Sequence, residues 1–155
     1  MNIRTTFSGQ QYQNGSSLLE ALIAVLIFSI GVIGLMGLQA TSIKNSSDAK
    51  YRADAAYLAN QIIGQMWVDR ANIDNYATGG TGAACSVGTP STNTNISNWL
   101  TQVSNSLPGA TSAIQQIAVT TPLTNTRQVK VTVCWKGPQD TTAHNFVVTA
   151  QINTN

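Results

Sequence analysis

One carboxylate at the edge of a long apolar run limits this chain more than any other feature. From Ala21 to Leu38 no residue is charged, and Ser29 is the only side chain there with a strong hydrogen-bonding group. Such a run is close to the shortest, about 17–25 residues, that crosses a bilayer as a helix. Glu20 stands immediately before it and is the only glutamate in the 155-residue chain. A carboxylate drawn into hydrocarbon costs about 2.5–3.5 kcal/mol on insertion scales, so one kept at this place needs a partner. Ser16 is the nearest candidate. If the chain is cut after Gly15, Ser16 carries a free amine, and residues four apart on a helix share a face.

The chain divides into three parts. Residues 1–15 are polar, carry Arg4 as their one charge and have no core to join. They read as a leader that is cleaved off. Residues 16–75 read as one long helix whose first half, 16–38, is transmembrane. No proline precedes Pro90. Beyond the apolar run, Ala49, Ala53, Ala56, Ala59, Ile63, Met66 and Trp67 recur at three- and four-residue spacing, the period of a helix with one buried face. About sixty residues of helix span about 90 Å, far more than a bilayer, so the second half must pack on the rest of the chain. Gly31, Gly34 and Gly37 recur at every third position of the first half. Membrane helices tolerate glycine; the sharper reading is a segment that can loosen, or that allows close helix packing, when subunits bundle.

Residues 76–155 read as a globular head. Its first part, 76–113, is loop-rich. Asn95 is a candidate cap for a short helix through Ile96, Trp99, Leu100 and Val103 that ends before Leu107-Pro108-Gly109. Three strand signals follow. Ile117, Val119 and Thr121 alternate with small or polar residues; Val129, Val131, Val133 and Trp135 alternate with Lys130, Thr132, Cys134 and Lys136. In the last, Phe146, Val148, Ala150 and Ile152 alternate with Val147, Thr149, Gln151 and Asn153. The turn between the last two lies at Lys136-Gly-Pro-Gln-Asp140. The fold class is therefore α+β: a long N-terminal helix, its hydrophobic half protruding, packed on an antiparallel sheet whose apolar face covers Ala53 to Trp67.

Composition excludes several kinds of function. Charged residues make up 9% of the chain, against about 25% in typical soluble proteins. The net charge is +2 and the basic residues are scattered, so no dense footprint for nucleic acid is expected. Thr78-Gly-Gly-Thr-Gly82 lacks the lysine and hydroxyl residue of a phosphate loop. His144 is the only imidazole, and no catalytic set, metal site or cofactor is expected. Asp48, Asp54, Asp69 and Asp74 share their helix with Lys and Arg and read as solvated pairs. Trp67, Trp99 and Trp135 read as core.

Gly15-Ser16-Ser17-Leu18-Leu19-Glu20, followed by the apolar run, resembles the class III signal of type IV prepilins and type II secretion pseudopilins. An ordinary secretory signal is cut after its apolar region; here the cut falls before it and the helix is retained. Ser29-Ile-Gly-Val-Ile-Gly-Leu-Met-Gly-Leu-Gln39, the tryptophan before Leu107-Pro108-Gly109, and the Val-x-Val-x-Val-x-Trp strand resemble the PilV, or pilus modification, branch of minor pilins. That resemblance implies a pilin-like fold and a protein that is not an enzyme. It implies prepilin-peptidase cleavage between Gly15 and Ser16, N-methylation of Ser16, and an assembly role for Glu20. The implied partners are other minor pilins, the major pilin, the inner membrane and a large tip adhesin. The implied location is a single-pass inner-membrane protein with a periplasmic head, later part of a tip-proximal extracellular pilus. Type II secretion and adhesive or DNA-binding pilins are the alternatives, and a conventional secreted protein cut near Leu38-Gln39-Ala40 is a further one.

Two expectations depend on orientation. Arg4 alone lies before the span while Lys44, Lys50 and Arg52 follow it, so simple counting of basic residues favours a reversed topology. The expectation is nonetheless a cytoplasmic leader, because long domains translocate largely regardless of charge. Cys85 and Cys134 then lie on the oxidising side, where a disulfide between them is expected. Two buried free thiols are the alternative.

Overall fold

A computed structural model describes residues 16–154. Helix α1 runs Ser16–Val68, α2 runs Thr94–Ser106, and three strands follow: β1 Gln116–Leu123, β2 Thr126–Trp135 and β3 His144–Asn153. The strands form one antiparallel sheet in the order β1-β2-β3. The α+β architecture, a long N-terminal helix on an antiparallel sheet, is thus the observed one. The described residues separate into two compact units, one ending at Asn45 and the other beginning at Ser46.

In the second unit, α1 contributes Ala55, Leu58, Ala59, Ile62, Ile63 and Met66 to the core. Their spacing of three and four residues builds one helical stripe. The expected stripe is corrected in phase: Ala49, Ala53 and Trp67 are exposed and Ala56 is half-buried. Alanines marked the wrong seam because small residues suit a solvent face as readily as a close contact. Trp67, at 47% exposure, is not core, whereas Trp99 and Trp135 are each 2% exposed. The α-helix also stops short of residue 75. It ends at Val68, and Arg70–Tyr76 continues as a 3-10 segment broken at Asn72. That tighter stretch turns Ile73 and Tyr76 inward.

Helix α2 is capped by Asn93, not by Asn95. The Asn93 side chain accepts from the backbone N–H of Asn95 and Ile96, which satisfies two amides that no helical turn can reach. The apolar face Ile96, Trp99, Leu100 and Val103 is buried as the sequence suggested. Trp99 Nε1 donates to the Leu58 carbonyl at 2.9 Å, tying α2 to α1. Val129, Val131, Val133 and Trp135 of β2 complete the core.

Candidate functional site

Ser16 opens α1 and Glu20 lies one turn into it. Both are exposed, and so is nearly every side chain after them as far as Ser46. Phe28 is 72% exposed and Leu22 68%, values opposite to those of a water-facing helix with a buried stripe. One helix in the described residues is long and apolar enough to cross a membrane, and its most apolar window buries nothing inside the chain. Polar atoms in this stretch satisfy themselves. Ser29 Oγ donates to the Val25 carbonyl at 2.7 Å and Thr41 Oγ1 to the Gly37 carbonyl at 3.2 Å. Hydrocarbon offers no partner to an unpaired hydroxyl, so these local bonds suit an apolar solvent. At Gly31, Gly34 and Gly37 an added Cβ would meet nothing within 4 Å beyond the adjoining backbone of its own helix. Gly15 and the leader lie outside the described residues.

Within the head, Cys85 and Cys134 are bonded, with Cα atoms 5.7 Å apart. The bond fastens the 77–91 segment to β2. Two further attachments support it. Thr78 and Ile117 exchange backbone hydrogen bonds of 3.0 and 2.9 Å. Gln116 Nε2 donates to the Ala83 carbonyl at 3.0 Å and to Ser86 Oγ at 2.9 Å. Neighbouring Gln115 is fully buried and works as a substitute strand residue. Its Nε2 donates to the Cys134 carbonyl at 2.9 Å, and its Oε1 accepts from the Cys134 N–H at 2.8 Å. Neither glutamine is detectable by periodicity, because the partner of each is distant in sequence.

Two of the four aspartates, Asp69 and Asp74, have identified partners. Asp74 meets Arg127 of β2 through two bonds, Nε to Oδ1 at 2.8 Å and Nη2 to Oδ2 at 3.1 Å. The hydrogen bond from Arg127 holds the Asp74 carboxyl below its ordinary pKa, with the opposite charge adding to the effect. Asp69 accepts from Tyr76 Oη at 2.9 Å, and Asn95 Nδ2 donates to that same hydroxyl at 2.8 Å. Burial raises the Tyr76 pKa, and the Asp69 carboxylate adds to the rise. His144 stacks on Trp135, ring centroids 5.8 Å apart, with Nε2 3.0 Å from Asp140 Oδ2. No group of metal-ligating side chains occurs among the described residues.

The family model for the prokaryotic N-terminal methylation motif matches residues 10–36. It covers Gly15, Ser16, Glu20 and most of the apolar run. No curated protein and no protein of solved structure matches the chain. The motif indicates a type IV pilin-like or pseudopilin protein, and the α+β architecture agrees with that indication. Such a motif implies processing by prepilin peptidase and assembly with other pilins, and the long apolar helix is consistent with anchoring in a membrane.

Proposed function

We propose that the chain is a minor pilin of the PilV branch, acting in a priming or tip complex of type IV pilus assembly. In this reading prepilin peptidase cuts between Gly15 and Ser16, Ser16 is N-methylated, and the head stays periplasmic until the subunit leaves the inner membrane for the fibre. There it joins other minor pilins and the major pilin beneath a large adhesin, in support of twitching, attachment and DNA uptake. The carrying observation is the methylation motif at 10–36, with the chain's sole glutamate four residues after Ser16. Glu20 neutralises the Ser16 amine of a neighbouring subunit and so sets axial register. An ion pair out of water is a device for specificity more than for stability. Piliation and twitching in a strain carrying only Glu20→Ala test this, with membrane levels of the protein measured in parallel. The variant inserts normally, since losing a charge at the edge of a span eases insertion, but does not initiate pili. Normal piliation with Glu20→Ala overturns the assembly role. A deletion strain that twitches but fails to secrete replaces the pilus by a type II secretion pseudopilus.

A further inference from the structure

The sheet has two edges, and they are finished differently. β1 is interrupted near both of its ends. The 77–91 segment bridges it at Ile117 through Thr78, Pro122 removes a donor, and the register shifts between Thr120 and Leu123. A covering loop, a proline and an irregular register are devices by which natural sheets prevent further pairing. β3 has none of them. Its 10 residues pair with β2 from Asn153 to His144 without a shift. They include no proline, aspartate, glutamate, lysine or arginine. Among the described residues nothing pairs with the other side of β3. The core also runs out beneath it. Val129, Val131 and Val133 of β2 are 0% exposed, whereas their cross-strand partners Ala150, Val148 and Phe146 are half-buried.

We propose that the free edge of β3 receives an extended strand from another pilin-like subunit. Every second residue of an edge strand turns its N–H and C=O outward, and only an extended backbone satisfies such a row in series. A helix laid against it would leave the groups unpaired. The occupant's chemistry follows from the two faces. It is uncharged and free of proline. Apolar side chains at alternate positions continue the row Phe146, Val148 and Ala150, and polar ones lie beside Thr149 and Gln151. Pairing of β3 with its own copy is disfavoured by symmetry, because an isologous contact closes a dimer and ends growth. The inference rests on the assembly reading, which requires a heterologous contact.

The test uses the full-length protein in its own cells, with a photoreactive benzoylphenylalanine placed in turn at Val147, Thr149 and Gln151, and at Thr120 of β1 as control. The expected result is crosslinking of the three β3 positions to one other subunit, at residues that step by two along a single segment. Thr149→Lys, which sets a charge on the edge, abolishes the Gln151 crosslink. Yields no higher than at Thr120, steps of three or four that mark a helix, self-crosslinks alone, or persistence of the Gln151 crosslink with Thr149→Lys would each overturn the proposal. Cleavage at Ser16 is measured in the same strains. Correct processing without edge crosslinks refutes this inference and leaves the pilin reading standing, whereas unprocessed protein refutes both.

Discussion

Breaking the Cys85–Cys134 bond gives a magnitude that can be worked out beforehand. The cysteines are 49 residues apart in sequence. Closing a loop of about that length removes conformational entropy from the unfolded chain worth about 4 kcal/mol at 25 °C. The whole stability of a domain is only about 5–15 kcal/mol, so the reduced head loses at least about a quarter of it. For a unit of about 110 residues, 1 kcal/mol moves Tm by about 4 °C, and the expected fall is about 15–20 °C. Trp99 and Trp135 are buried in the core of the head, so their near-UV signal follows its melting while the apolar helix stays in detergent. The assay compares oxidised protein with reduced, alkylated protein, both full length. Cys85→Ala should melt with the reduced form. A fall below about 5 °C would show that the 77–91 segment is held by its other attachments and that loop entropy is the wrong account. Two alkylatable thiols in the native exported protein would refute the bond itself.

Other substitutions test separate parts of the structure. Gln115→Leu leaves the N–H and C=O of buried Cys134 without their side-chain partner, at about 1–3 kcal/mol each; a fall in urea midpoint with unchanged slope checks it. Arg127→Gln should return the Asp74 carboxyl toward its ordinary pKa, followed by NMR titration. Because that pKa is depressed in the folded protein, the pair's stabilisation is present above the unfolded carboxylate pKa and disappears as pH falls through the folded value. The wild type should therefore lose stability over that acid range, and Arg127→Gln should lose less there. Gly79→Ala should destabilise the head, since Gly79 has a φ of +83° and an added Cβ would collide with the Gln115 carbonyl; unchanged thermal melting would contradict that placement. Gly15→Ala should leave uncleaved precursor in the membrane, visible by mass spectrometry, and a mature chain beginning at Thr41 would refute the pilin reading.

Regular elements were legible because their signal repeats. The alternation from Val129 to Trp135 and from Phe146 to Ile152 reappears as β2 and the inward face of β3. Ile96, Trp99, Leu100 and Val103 reappear as the buried face of α2. What escaped is aperiodic. Asn93 and Asn95 are chemically the same, and only the backbone geometry decides which one caps and which one reaches Tyr76. Gln115 and Gln116 look like surface amides until the fold brings Cys134 and Ser86 to them. Trp67 follows buried Met66 directly but falls on the solvent side, because one residue turns a helix by about a quarter of its circumference. For Glu20 the limit is of another kind. Its proposed partner belongs to a second chain, so one chain, folded or not, displays the carboxylate and not the contact.

The unburied first half of α1 has a consequence for what can drive assembly. A segment that buries nothing of its own chain takes its free energy entirely from its surroundings. Leaving lipid for a bundle of similar helices exchanges one greasy solvent for another, and the hydrophobic effect, which needs water on one side of the exchange, is nearly silent. Leu22, Phe28 and Leu38 would be as comfortable before the transfer as after it. What changes sign is the rare polar feature, so a single carboxylate among many apolar side chains can decide where along a neighbour the helix comes to rest.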